Sequence, residues 1–334
     1  MKEDAMTHQA KRLSTTISER TAPSIAGRRH GGWSRYSART FYLFLSPWLL
    51  GLLALQVFPL AYALGVSFTN FVPGFHWHWV GLSNYNQLIQ DPQVWASLKQ
   101  TLLYVLITVS LGVVGGLGLA LLLHKPMRGI GLFRALFYLP AVVPIVAAAV
   151  SWKLIFDRDT GLLNGLVHLV GGPSVQWLAD PYAFTALVVM VLWSVGSGMI
   201  IFLAGLQGIS AEVLEAAAVD GAGAWRGFWS VRLPLLTPVL LFQVIVSMIY
   251  ALQTLIQPLL LSQSGSLSGG VGTGGVVVPS TTTLYMVYVY QEIFNGGGTY
   301  GYGSALLWVL FAVILVITFI VFRSSRLWVY SENG

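Results

Sequence analysis

A chain of 334 residues that is 55% hydrophobic and only 9% charged is not built to be surrounded by water; soluble domains carry about 25% charged residues. It has no cysteine, which excludes disulfides and thiolate metal sites. Its net charge of +6 is not gathered on a soluble basic module, so no nucleic-acid partner is expected.

The chain opens on a polar, basic stretch without apolar periodicity, Met1 to about Arg39. It reads as a flexible cytoplasmic tail over residues 1–40. It is too long and too polar for the n-region of a cleavable signal peptide, so the first apolar span would be an uncleaved anchor. Its basic residues would set topology and touch membrane lipid headgroups; a regulatory partner is the alternative.

Six stretches then reach the roughly 20 apolar residues that a bilayer core demands. They are Phe41–Phe68, Leu102–Leu123, Leu132–Phe156, Ala183–Leu206, Leu235–Leu261 and Ala305–Phe322. The second, fourth and sixth are uninterrupted. The first, third and fifth carry Pro47 and Pro59, Pro140 and Pro144, and Pro238 and Pro258. Proline removes a backbone donor and kinks a helix, so these three are predicted as bent helices inside a bundle. An N-in, C-in layout places fifteen Lys and Arg residues inside and three, Lys99, Lys153 and Arg158, outside. That bias supports both the orientation and the number of spans. The fold class predicted is an all-α membrane protein with six transmembrane helices. Residues 324–334 form a short cytoplasmic tail.

The outer loops differ in character. Asn70–Gln100 holds Trp77, Trp79, Tyr85 and Trp95, which suit an interfacial belt. Asp157–Pro181 carries the turn signal Asp159-Thr160-Gly161. Ser262–Thr283 is rich in Gly and Ser; without a preceding strand or a following Lys-Ser/Thr helix it reads as a flexible external loop, not a phosphate cradle.

The inner loop between spans four and five carries more. Ser210 is a good N-cap, with Glu212 in the first turn. Residues 211–219 are mostly strong helix formers, and Gly221 stands where the helix would stop. A second short helical piece with Trp225, Phe228 and Trp229 follows, and Leu233-Pro234 leads back into the membrane. A helix lying on lipid is usually rich in Lys and Arg on its polar face. This one shows Glu212, Glu215 and Asp220, which favours a protein partner over the lipid surface.

The spacing in this loop resembles a known pattern. Glu215-Ala216-Ala217, three residues, Gly221, nine residues and Val231-x-Leu233-Pro234 match the EAA loop of binding-protein-dependent ABC importer permeases. Val231 replaces the family's Ile. Asp220-Gly221-Ala222 is similar to the sugar-transporting branch, the maltose/multiple-sugar permeases. Further segments resemble that branch: Phe58-Pro59-Leu60, Gly81-Leu82-Ser83-Asn84-Tyr85, Arg134 with Leu139-Pro140, Gly161-Leu162-Leu163-Asn164 and Gly301-Tyr302-Gly303. The basic tail and the Gly-rich stretch 264–275 depart from it.

The resemblance implies a six-span permease domain over residues 41–323, in a bacterial or archaeal cytoplasmic (inner) membrane. It implies that the EAA loop is a coupling helix docking on a cytoplasmic ATPase, through Glu212, Glu215, Ala216, Ala217, Asp220, Gly221, Leu233 and Pro234. The implied partners are a second homologous permease, two ATPase subunits and an extracytoplasmic solute-binding protein. The chain has no Walker A motif, so it is not expected to be an enzyme; ATP and Mg would bind the partner ATPase, and no cofactor this chain. His124 and His168 lack metal-ligand spacing, and no hydrolase or metalloprotease motif occurs.

The substrate path is read from the fifth span. On a helix of about 100° per residue, Ser247, Tyr250, Gln253, Thr254 and Gln257 fall with Gln243 in an arc of about 120°. The stripe is neutral, rich in donors and acceptors, and includes an aromatic ring. That suits sugar hydroxyls and the apolar face of a sugar ring; bonding to neighbouring helices is the alternative. Trp193, Ser194 and Ser197 in span four are further candidates, with Gly196 and Gly198 allowing close packing. A carbohydrate, mono- or oligosaccharide, is the expected substrate. A glycerophosphodiester or polyamine permease, a self-sufficient secondary transporter, and a membrane receptor are the alternatives. The secondary transporter would usually need coupling carboxylates or His inside the spans, and none lies near a span core.

Overall fold

The computed structural model describes residues 38–262, 278–294 and 298–330. The expectations for most of the N-terminal tail, the Gly-rich stretch 264–275 and the last four residues lie outside them. Among the described residues the protein is helical, with no strand and a single isolated bridge, Thr69 to Trp79. Residues Met1–Ala61 and Tyr62–Gly334 separate as two units.

Along the chain α1, Ala38–Leu52, runs through Pro47 into a π turn, Leu53–Val57, and on to α2, Phe58–Val66. The Phe58 N–H reaches back five residues to the Leu53 carbonyl. Pro59 follows at once. A proline ring collides with the carbonyl four residues before it, and a widened turn relieves the collision.

The second unit is built on α4, Pro92–His124, which packs against α8 (Ala183–Leu192), α9 (Gly196–Gln207), α12 (Leu233–Leu252) and α14 (Tyr285–Phe294). Asp91 caps α4 by accepting the Gln93 N–H at 2.8 Å, with Pro92 in the first turn, where no donor is required. Tyr104, Leu187, Met199, Phe202 and Leu236 are fully enclosed in its core. On the outside of α4, Leu106, Val114 and Leu122 stand about two-thirds exposed. Apolar groups buried inside and apolar groups exposed outside is the pattern of helices solvated by lipid.

Among the described residues four helical runs are long and apolar enough to cross a membrane: Arg39–Val66, Pro92–His124, Ala224–Leu252 and Tyr300–Leu327. Two bent pairs bring the number to six if each pair is one span. The first pair is α5, Ile130–Val142, and α6, Ile145–Ile155, which meet at 95°. A simple kink was expected there. Instead Val143 takes an extended conformation (φ −68°, ψ 128°), which the following Pro144 enforces, and the helix stops and restarts. The second pair is α8 and α9, bent by 40° although no proline intervenes. The second half of this pair opens on a close approach. A Cβ on Gly196 would lie 1.8 Å from the Phe137 carbonyl oxygen, so only glycine lets α5 cross there.

The fifth span also differs from its predicted bounds of 235–261. It begins at Ala224, because α11, Ala224–Gly227, a π turn, Phe228–Arg232, and α12 form one run. The second short helical piece is therefore the first turn of the span. The Leu233 N–H bonds the Phe228 carbonyl just before Pro234, repeating the device before Pro59. The run ends at Leu252, and α13, Ile256–Leu261, starts afresh. Continued as one helix, Pro258 would clash with the Thr254 carbonyl; in the first turn of a new helix it is harmless. The chain closes with α14 and α15, Tyr300–Ser324.

Short helices cover the other end: α3 (Ser83–Gln90) and α7 (Leu162–Leu169). Each is pinned by a buried asparagine. The Asn84 amide donates to the carbonyls of Ser67 and Thr69 at 2.8 and 2.9 Å. The Asn164 amide donates to the carbonyls of Arg158 and Val175 and accepts from the Val175 N–H and the Trp177 indole.

Candidate functional site

A cleft of about 700 Å³ opens between α4, the break from α8 to α9, and α12 with α13. Gln243, Ser247, Tyr250, Gln253, Thr254 and Gln257 all line it, and no charged side chain does. The helix that was to carry all six on one face ends at Leu252. They converge because the turn at 253–255 folds the last three back over the same space. Tyr250 is 76% exposed at the cleft. The Gln253 side-chain amide donates to the Ile249 carbonyl at 3.1 Å, which leaves its oxygen available.

Gln243 is the constrained member. Its Nε2 donates to the Ser247 hydroxyl at 3.0 Å. Its Oε1 is buried with no protein group in hydrogen-bond reach. Gly198 stands against this amide; a Cβ there would sit 3.3 Å from Nε2.

Ser194 and Ser197 also reach the cleft, whereas Trp193 does not line it. Trp193 precedes Ser194 in the turn between α8 and α9, so it faces another way and meets Trp152 edge-on at 6.0 Å. Tyr104 and Thr108 were not foreseen. They lie one turn apart on α4 and line the cleft as buried residues, the Thr108 hydroxyl donating to the Tyr104 carbonyl at 2.7 Å. The Thr101, Tyr104, Thr108 spacing on an otherwise apolar span was the signal that could have found them.

The segment 210–234 forms a second candidate. Ser210 caps α10, Ala211–Val219, by accepting the Glu212 N–H at 3.2 Å. The helix ends in a paired C-terminal cap. The Gly221 N–H bonds the Ala218 carbonyl and the Ala222 N–H bonds the Ala217 carbonyl, with Gly221 at φ +80°. None of the residues of α10 is buried. Glu212, Glu215, Ala216 and Asp220 are exposed, Ala217 half-buried, and Leu233 and Pro234 half-buried where the run enters the bundle. Capped at both ends, touching α11 and with no residue buried, α10 leaves most of its surface exposed.

At the far end, Asp91 accepts the hydroxyls of Tyr288 and Tyr302. Burial works to raise its pKa, and these hydroxyls with the Gln93 N–H nevertheless hold it below the usual carboxylate value. Glu292 nearby is pushed up by burial and by the Asp91 charge. Asp180 accepts from the backbone and hydroxyls of Ser280 and Thr281, and it too is held low against the pull of burial. These are structural ties. Among the described residues no His, Asp and Glu group could hold a metal.

Bundled apolar helices around a neutral polar cleft, with a short capped helix left exposed, define a multi-pass membrane transport protein. Residues 112–328 match the binding-protein-dependent transport system inner membrane component family, and the chain belongs to it. It is 36% identical over 296 residues to the probable ABC transporter permease protein YesP of Bacillus subtilis, covering 87% of this chain and 92% of that one. It is 32% identical over 294 residues to the trehalose/maltose transport system permease protein MalF of Thermococcus litoralis, covering 86% and 94%. Its fold is similar to a chain of a bacterial alginate ABC transporter solved in complex with an alginate pentasaccharide-bound periplasmic protein. There the TM-score is 0.73 at 22% identity, covering 86% of this chain and 93% of the other.

Proposed function

We propose that the chain is the membrane-spanning permease subunit of an ATP-driven importer for a carbohydrate. The observation that carries this reading is the cleft: ten neutral hydroxyl, phenol and amide side chains and no charge, a surface for sugar hydroxyls. Relatives named for trehalose/maltose and for lactose transport support the substrate class. Residues 41–323 form the permease domain, with six spans and both termini in the cytoplasm of a bacterium or archaeon. Residues 1–40 and 324–334 are its cytoplasmic tails.

In this reading α10 is the coupling helix, with Glu212, Glu215 and Asp220 offered to an ATPase. The complex holds two such ATPases, which bind ATP and Mg, a second permease, and an extracytoplasmic solute-binding protein. ATP binding draws the ATPases together, α10 follows, and the cleft changes the side to which it opens. Each ligand biases one of two states.

Uptake of a panel of radiolabelled mono- and oligosaccharides tests the assignment. Alanine at Tyr250, Gln253 and Gln257 should lower uptake of the transported sugar while the ATPase still copurifies. Undiminished uptake in all three would sink it.

A further inference from the structure

After α15 the chain makes a 3-10 turn, Ser325–Leu327, held by the Val329 N–H on the Ser325 carbonyl at 2.8 Å. It then lies back against α12. The Tyr330 N–H donates to the Thr237 hydroxyl at 2.8 Å, and that hydroxyl donates to the Pro234 carbonyl at 2.6 Å.

The sequence explains the second bond. In an α-helix the Pro234 carbonyl would take the N–H of residue 238, and residue 238 is proline. Thr237 supplies the missing donor from its side chain. It is 8% exposed, so bulk water is a poor substitute. One hydroxyl thus joins the last residue of the Leu233-Pro234 element to the backbone beyond span six.

We propose that Thr237 is a positioning residue that locks the tail of span six to the proline end of the coupling segment. Movement of α10 then carries span six with it and is not absorbed at the two prolines. The proposal rests on the coupling reading of α10.

The absence of native cysteine permits clean labelling. Spin labels at Val219→Cys and Leu327→Cys, positions 88% and 89% exposed, report on the coupling segment and the tail. A third label on the copurified ATPase gives a reference, and ATP with vanadate is the probe. In the parent complex the label at 219 should shift by a few ångströms against the ATPase while the 219–327 distance stays constant. Thr237→Val should let the 219–327 distance shift with nucleotide, and Thr237→Ser should hold it constant. Deleting residues 330–334 removes the Tyr330 donor without touching α12 or the Val329 bond that holds the turn, and should reproduce Thr237→Val even if that variant folds poorly. A 219–327 distance that responds alike in the parent, Thr237→Val and the deletion overturns the lock while leaving the coupling reading intact. A 219 label blind to nucleotide overturns both.

Discussion

Replacing Gln243 by leucine should separate stability from transport. The substitution removes the buried Oε1, for which the protein provides no donor, and the bond from Nε2 to Ser247. An unmet buried acceptor costs about 1–3 kcal/mol, whereas a neutral hydrogen bond contributes a net 0.5 to about 1.5 kcal/mol. Leucine has nearly the same reach and needs no partner. The balance therefore runs from about −0.5 to about 2.5 kcal/mol, with its centre about 1 kcal/mol in favour of the variant. Transport should move the other way. If Oε1 accepts a sugar hydroxyl, its loss weakens apparent affinity by about two- to tenfold. The assay is paired: thermal unfolding of the purified complex, and uptake as a function of sugar concentration. A variant that melts below wild type and takes up sugar with unchanged affinity would refute the reasoning, because Gln243 would then be a packing residue.

Two further predictions concern the ends of the molecule. Gly221→Ala meets no steric obstacle, since nothing lies within 4 Å of the added Cβ, but it must hold φ +80°. That costs about 1–2 kcal/mol; hydrogen exchange of the α10 amides should speed up about fivefold or more, and Gly221→Asn should do less harm. Glu292→Gln tests the Asp91 and Glu292 carboxylates. A carboxyl whose folded pKa is raised above its usual 4.5 contributes stability that is present below 4.5 and lost as pH rises through the folded value. Asp91, held below its usual 3.8, contributes above 3.8 and loses it only as pH falls through its lower folded value. Melting of the wild-type complex should therefore fall as pH rises from 4.5 through the raised folded value of Glu292, and Glu292→Gln should flatten that fall. An unchanged slope would remove Glu292 from the account.

What the sequence disclosed was local chemistry of short range. The cap at Ser210, the stop at Gly221 and the proline effects follow from single residues and their neighbours. Each stands in the structure where the residue type requires it. The neutral stripe of span five was legible as composition, although its geometry rested on a helix that ends at Leu252. What stayed hidden depends on contact between distant segments. The close approach of the Phe137 carbonyl to Gly196 is contained in no reading of span four alone. Tyr104 and Thr108 join the cleft only because α4 lies at the centre of the bundle. The bond from Tyr330 to Thr237 spans 93 residues.

The central claim is that α10 couples this chain to an ATPase. Affinity purification from the native membrane, with identification of what accompanies wild type and Glu215→Ala, tests it most directly. The account predicts an ATPase and a second permease with the wild-type chain, and a weakened ATPase with the variant. Recovery of the chain alone, or of the same partners in the same amounts with Glu215→Ala, would contradict it.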